Sequence, residues 1–283
     1  MTENILACID SSAYAALVGD LAAWASRKLQ LPIELLHVVQ RKNAVAERHD
    51  LSGAIGLGVK SQLLEELTRL EEAEARIQVE RGRVLIASQE GRLKAAGAVG
   101  VKTLHRHGGI VETILEREAE ARLVVMGKRG EGHEFAQGHI GSKVERVVRA
   151  SSKPILIASR GGEPPHVAVL AYDGSPAAGH ALERCANSPL FSDLPVHLVV
   201  VGADDDRHRN MLDDARGSLK GREVTTTLKP GKPEDVIASV VGATPGSILI
   251  MGAYGHSPLR TLIVGSTTTA MIRTVHVPIL LVR

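Results

Sequence analysis

The residues best suited to chemistry in this sequence stand near its carboxyl end. Gly252-Ala253-Tyr254-Gly255 is followed, after nine residues, by Gly265-Ser266-Thr267. Gly252 closes an apolar run and lets the backbone turn where a side chain would block a ligand, and Gly255 permits a second tight turn. Gly265 and Ser266 then open a helical stretch, whose free N–H groups and dipole favour an anion. The hydroxyls of Ser266 and Thr267 can donate further bonds to phosphate oxygens. Asp173 ends another apolar run, and a carboxylate there suits a hydrogen-bond donor such as a ribose hydroxyl or a base amino group. Val201, at the end of a third run, offers an apolar wall to a flat base.

A second, altered copy of this constellation lies earlier in the chain. Gly127-Lys128-Arg129-Gly130 precedes Gly141-Ser142 by ten residues instead of nine, and Asp10 and Val38 stand where Asp173 and Val201 stand later. Lys143 and Glu145 replace Thr267 and Thr269. Lys128 and Arg129 can neutralise phosphate, whereas Glu131, Glu134 and Glu145 oppose it. This half can hold the same ligand, another one, or none. His105 and His107 share one face of a strand, and with His133 and His139 they make a four-histidine group. No carboxylate or cysteine spacing supports a metal site there, so solvent-facing histidines are expected.

These residues need strands to carry them and helices to close them, and the chain provides both twice. Asn4–Asp10 matches His166–Asp173, with the two aspartates 163 residues apart, and Pro32–Val38 matches Pro195–Val201 at the same offset, while Leu123–Gly127 matches Ile248–Gly252 and Pro154–Ile157 matches Pro278–Leu281. The repeat divides the chain into domains at 1–160 and 161–283, across the turn-rich Arg160–Pro165. In the second domain, strands are expected at Val167–Tyr172, Val196–Val201, Glu223–Leu228, Ser247–Met251 and Pro278–Val282. Helices are expected at Pro176–Ala186, with Ser175 as N-cap, and at Asp204–Leu219, Glu234–Val241 and Ser266–Thr274. Short Val/Ile/Leu runs alternating with helices call for a parallel, doubly wound sheet covered on both faces, an α/β Rossmann-like fold in each half. Ligands of such sheets sit beyond the carboxyl ends of the strands, where Asp173 and Gly252 fall. The final strands, Ile155–Ala158 and Ile279–Val282, are the expected contacts between the halves, because exposed apolar edges invite aggregation.

The first domain carries about 39 extra residues. Leu63, Leu67, Leu70, Ile77, Val84 and Gly91 recur along 60–96 at spacings of three, four and seven, which reads as one face of an amphipathic helix. Unbroken, that helix would run roughly 55 Å, so a bend near Gly82 or Gly91, or a projecting end, is expected. Its apolar face covers the sheet or, alternatively, binds a partner.

Composition narrows the function. The 283 residues carry a formal charge of +2 and 2% aromatics, too mild a basicity and too few stacking platforms for a nucleic-acid partner. No run approaches the ~18 apolar residues of a membrane helix, and no secretory signal is visible. Cys8 and Cys185 suit two buried thiols in a reducing cytoplasm.

The spaced glycines, Asp173-Gly-Ser and Pro278 before the last strand together resemble the universal stress protein family, over nearly the whole chain. Its ATP-binding members carry Gly-x2-Gly-x9-Gly-Ser/Thr. The resemblance implies that the two halves pack on each other as a pseudo-two-fold pair, with ATP or a related adenine nucleotide as ligand, with or without Mg²⁺. Asp173, Val201 and Met251 would lie along the adenosine, Gly252 and Gly255 would approach the ribose and phosphates, and Gly265, Ser266 and Thr267 would hold the phosphates. Asp10, Val38, Gly127, Gly130, Gly141 and Ser142 are the first-domain counterparts. The expected role is a cytoplasmic, nucleotide-dependent regulatory protein of the stress response, with at most slow hydrolysis or self-phosphorylation. An ATP-independent interaction module and an adenylate-transferring enzyme are the alternatives. Homodimerisation and the identity of protein partners stay open.

Overall fold

The computed structural model describes residues 3–39, 57–130, 141–159, 164–253 and 266–283. The first half contains β1 (Asn4–Ile9), α1 (Tyr14–Leu29), β2 (Ile33–Val39), α2 (Leu57–Ala95), β3 (Val101–His107), α3 (Ile110–Arg117), β4 (Ala121–Gly127), α4 (Ser142–Ala150) and β5 (Ile155–Ala158). The second contains β6 (Val167–Ala171), α5 (Pro176–Asn187), β7 (Val196–Val201), α6 (Asp206–Ser218), β8 (Val224–Lys229), α7 (Pro233–Gly242), β9 (Ser247–Gly252), α8 (Ser266–Thr274) and β10 (Ile279–Val282). Local chemistry explains several boundaries. Ser175 accepts from the Ala178 N–H and Pro176 takes the first turn, so α5 starts there. Asp205 accepts from the His208 N–H to open α6.

All ten strands form one sheet in the order β3-β2-β1-β4-β5-β10-β9-β6-β7-β8. Strands within each half are parallel, as expected for βαβ crossovers. The two halves meet where β5 and β10 pair antiparallel, Leu156 beside Leu280, which is the pairing anticipated for the two final strands. Because the eight inner strands are covered on both faces, alternate residues feed two cores. One packs under α1, α2, α5 and α6, and the other under α3, α4, α7 and α8. Trp24 of α1 meets Phe191 of the second half with ring centroids 6.5 Å apart, so the first of these cores runs across the junction.

The long helix departs from its expected packing. It runs unbroken for 39 residues, but Leu70, Ile77, Val84 and Gly91 are exposed, and Leu67 is at the exposed margin. The face that docks on the sheet is built from Gly82, Ile86, Gln89 and Leu93. The reason is steric. A Cβ at position 82 would lie 2.6 Å from His105 Nε2 and 2.8 Å from His37 Cε1, so glycine is what lets the helix approach these strands. Hydrophobic periodicity picked the richer apolar stripe, whereas close approach chose the face with the smallest residue.

The histidines differ from expectation as well. His107 is exposed, but His105 is half-buried and pairs across the ladder with His37, ring centroids 5.1 Å apart. His37 Nδ1 and His105 Nε2 are buried and have no hydrogen-bond partner. His133 and His139 lie outside the described residues. Among the described residues no group of three or more His, Cys, Asp or Glu is placed to hold a metal ion.

Candidate functional site

In the first half, the carboxyl ends of β1, β2 and β4 open into a cavity of about 100 Å³. Asp10, Val38, Gly127, Gly130, Gly141 and Ser142 all lie on its wall. Each reaches it for a local reason. Asp10 follows the last residue of β1, and its Oδ1 accepts the Ser12 N–H at 3.1 Å, which turns the chain towards α1. Val38 is buried near the end of β2. A side chain on Gly130 would lie 2.9 Å from Asp10 Oδ2, and one on Gly141 would lie 3.9 Å from the Gly130 nitrogen. The small residues therefore bring the carboxylate, the loop and the start of α4 into mutual reach. Gly141 is the N-cap of α4 and supplies no side-chain capping bond, so the first-turn N–H groups face the cavity without a side-chain acceptor from the cap.

Other wall residues escaped the sequence reading. Ile110 and Ile114 of α3, Val18 of α1 and Met126 of β4 make the apolar part of the lining. Met126 was recoverable, since it stands where Met251 stands in the other half. Cys8 also lines the cavity, and burial raises its thiol pKa far above the usual range, so it stays protonated. Burial pushes the Cys185 thiol up to about 12, and both cysteines are free and buried, as expected.

The charges divide differently from expectation. Arg129 and Lys143 line the cavity, and Glu145 is turned to Arg149 at 2.6 Å along its own helix. Lys128 does not serve the cavity. It is 2% exposed, and its Nζ donates to the Arg273 carbonyl at 3.0 Å and the Val275 carbonyl at 2.8 Å, at the carboxyl end of α8 in the other half. Burial, with Arg129 nearby, brings its pKa down to about 8. A cation at a helix carboxyl end completes carbonyls that the helix leaves open. Arg283 does the same in return, donating to the Ser151 and Arg149 carbonyls at the end of α4. Glu131 and Glu134 lie outside the described residues.

In the second half, Asp173 Oδ1 accepts the Ser175 N–H at 2.9 Å, the same turn that Asp10 makes. Val201 is half-buried at the end of β7, Met251 is buried and Gly252 ends β9. Ser266 opens α8 and Thr267 is half-buried. Gly255 and Gly265 lie outside the described residues. Gly252 has a packing reason of its own. A Cβ there would come 2.6 Å from the Ala177 carbonyl carbon and the Ala178 nitrogen, within the first turn of α5. Gly127 meets Tyr14 Cβ at 2.7 Å in the same way.

This doubled arrangement of strands, turns and glycines has relatives. The profile of the Universal stress protein family matches residues 1–159 and 203–283. The chain belongs to the universal stress protein family. Universal stress protein Slr1230 of Synechocystis sp. (strain ATCC 27184 / PCC 6803 / Kazusa) is 34% identical over 286 aligned residues, covering 99% of this chain and 100% of its own length. Among solved structures, a universal stress protein from Archaeoglobus fulgidus DSM 4304 superposes with a TM-score of 0.72 at 21% identity, over 99% of this chain and 98% of that one. A second, from Pseudomonas aeruginosa UCBPP-PA14, gives 0.63 at 14% identity over 99% and 93%. These likenesses over the full length are to tandem universal stress protein architecture. Residues 160–202, which the family profile leaves unmatched, contain β6 and α5, and the sheet places them as the counterparts of β1 and α1. No described helix of this universal stress protein is long and apolar enough to cross a membrane.

Proposed function

We propose that this universal stress protein is a cytoplasmic regulatory protein that binds ATP or a related adenine nucleotide, with or without Mg²⁺, and acts through nucleotide-dependent contacts. The observation that carries the proposal is that all six first-half residues expected from the internal repeat and the family resemblance line one cavity. Its chemistry fits such a ligand: a carboxylate acceptor at Asp10, apolar wall at Val38, Ile110 and Ile114, and Arg129, Lys143 and the α4 amino end for negative charge. When bound, the nucleotide supplies a base, a ribose and a chain of phosphates. The residues present orient it and balance its charge, which is binding chemistry, so hydrolysis is slow. The complete Gly-x2-Gly-x9-Gly-Ser spacing of the second half is proposed as a further nucleotide site.

Calorimetric titration with ATP tests the reading. The wild-type protein takes up nucleotide, and Gly141→Val removes uptake by the first half while Gly265→Val removes it from the second. Asp10→Ala weakens the first site about tenfold, the equivalent of roughly 1.4 kcal/mol from one lost hydrogen bond. A wild-type protein that ignores adenine nucleotides at millimolar concentration refutes the proposal.

A further inference from the structure

Every residue of α2 from Glu65 to Ile77 is exposed. This segment continues the helix for about 20 Å before the first docked residue, and a helix that short is marginal in water without a packing partner. It nevertheless carries apolar surface. Leu67, Leu70, Ile77 and Val84 are four of the five large exposed hydrophobic residues among those described, and they share one helix face. Leu63 precedes them in the same series in sequence. At 3.6 residues per turn this stripe points roughly 130° away from Gly82, Ile86, Gln89 and Leu93, the face already used against the sheet. Leu63, Leu70, Ile77 and Val84 recur every seven residues, the period that lets one helix follow another.

The charges say what the occupant is. Residues 57–77 carry five glutamates against Lys60, Arg69 and Arg76, a net charge of −2. Residues 78–95 carry Arg81, Arg83, Arg92 and Lys94 against two glutamates, a net charge of +2. Arg83, Arg92 and Lys94 are engaged with Glu80, Asp20 and Glu90, so the positive field of this stretch centres on Arg81. Such a helix is complementary to itself turned end for end and repels itself in parallel.

We propose that α2 pairs antiparallel with the α2 of a second copy of this chain, about a two-fold axis at Ile77. Ile77 then packs on its own counterpart and Leu70 on Val84 of the second copy. Glu74 lies along Arg81 of the second copy, on the same flank of the seam, twice by symmetry. The pairing is isologous and closes at two. It is also sterically open, because each body docks beside residues 78–95 and the opposing stretch 65–77 is exposed on every side.

Sedimentation equilibrium without nucleotide tests this independently of the ligand-binding proposal. The wild-type chain is a dimer, and Leu70→Glu with Ile77→Glu, both at exposed positions, raises its dissociation constant at least about a hundredfold. Glu74→Arg and Arg81→Glu each weaken the dimer, and the two together restore it. Under oxidation, Ile77→Cys cross-links two copies and Leu70→Cys does not, whereas a parallel pairing would cross-link both. A monomeric wild type overturns the proposal, as does a dimer indifferent to the glutamates, which would mean that the stripe is covered by another part of its own chain or that copies meet elsewhere.

Discussion

Replacing Lys128 with methionine separates two roles that its place in the sequence confuses. It stands between two glycines of the cavity loop, yet its ammonium bonds the carbonyls of Arg273 and Val275 across the junction of the halves. Hydrogen bonds to a charged group contribute about 1.5–3 kcal/mol each. Against this stands burial, since the fall in pKa from 10.5 to about 8 corresponds to about 3 kcal/mol. Methionine fills the same space but leaves the Arg273 carbonyl without this donor, while Val275 keeps Ser159 Oγ at 3.4 Å. Lys128→Met is therefore expected to lower stability by about 1–3 kcal/mol, read as a lower urea midpoint, and to leave nucleotide affinity unchanged. The pH dependence has a definite sign. Between about 8 and 10.5 the unfolded chain holds the extra proton, so the wild type gains stability as pH rises through that window and the variant lacks that gain. An unchanged midpoint together with weakened nucleotide uptake would refute the reasoning and return Lys128 to the cavity.

Two further outcomes are expected. Gly252→Ala puts a Cβ against the backbone of α5 and costs about 1–3 kcal/mol in urea denaturation, whereas Gly217→Ala, with no atom within 4 Å of its added Cβ, stabilises α6 by up to about 1 kcal/mol. Burial lowers the pKa values of His37 and His105. His105 lowers His37 further and Asp10 opposes, while His107 and Arg83 lower His105 further. Both rings are thus held neutral, and the unfolded chain protonates first, near 6.5. This contribution is complete above that value and is lost as pH falls below it. The melting temperature drops between about pH 7.5 and about pH 5.5, and His37→Leu with His105→Leu removes that part of the drop.

Much of this was legible in the residues. The strands announce themselves as buried β-branched runs, and α5 and α8 begin where Ser175-Pro176 and Ser266 place them. The internal repeat carried Asp10 and Val38 to the cavity by equivalence with Asp173 and Val201, and the same equivalence with Met251 would have found Met126. What hydropathy could not give was direction. The docking face of α2 depends on how near its backbone comes to His37 and His105, and Gly82, the residue that permits it, adds nothing to an apolar stripe. Lys128 could not be placed from its neighbours either, because its acceptors are carbonyls about 145 residues away. His37 escaped notice because its partnership with His105 exists only once the β2–β3 register is known.

The antiparallel seam between β5 and β10 turns the strand ends of the two halves towards opposite margins of the sheet. No single ligand can therefore bridge both cradles, and any conversation between them has to pass through the protein. Two rods are laid for it. The amino end of α8 begins at Ser266, in the motif proposed above as a second nucleotide site, and its carboxyl end is gripped by Lys128, between Gly127 and Arg129 of the first half. The amino end of α4 faces the first cradle, and Arg283, next after β10, grips its far end. Under the nucleotide binding proposed above, a shift of either helix along its axis would reach the loop of the opposite half, and the coupling free energy between the two sites would be the same read from either one.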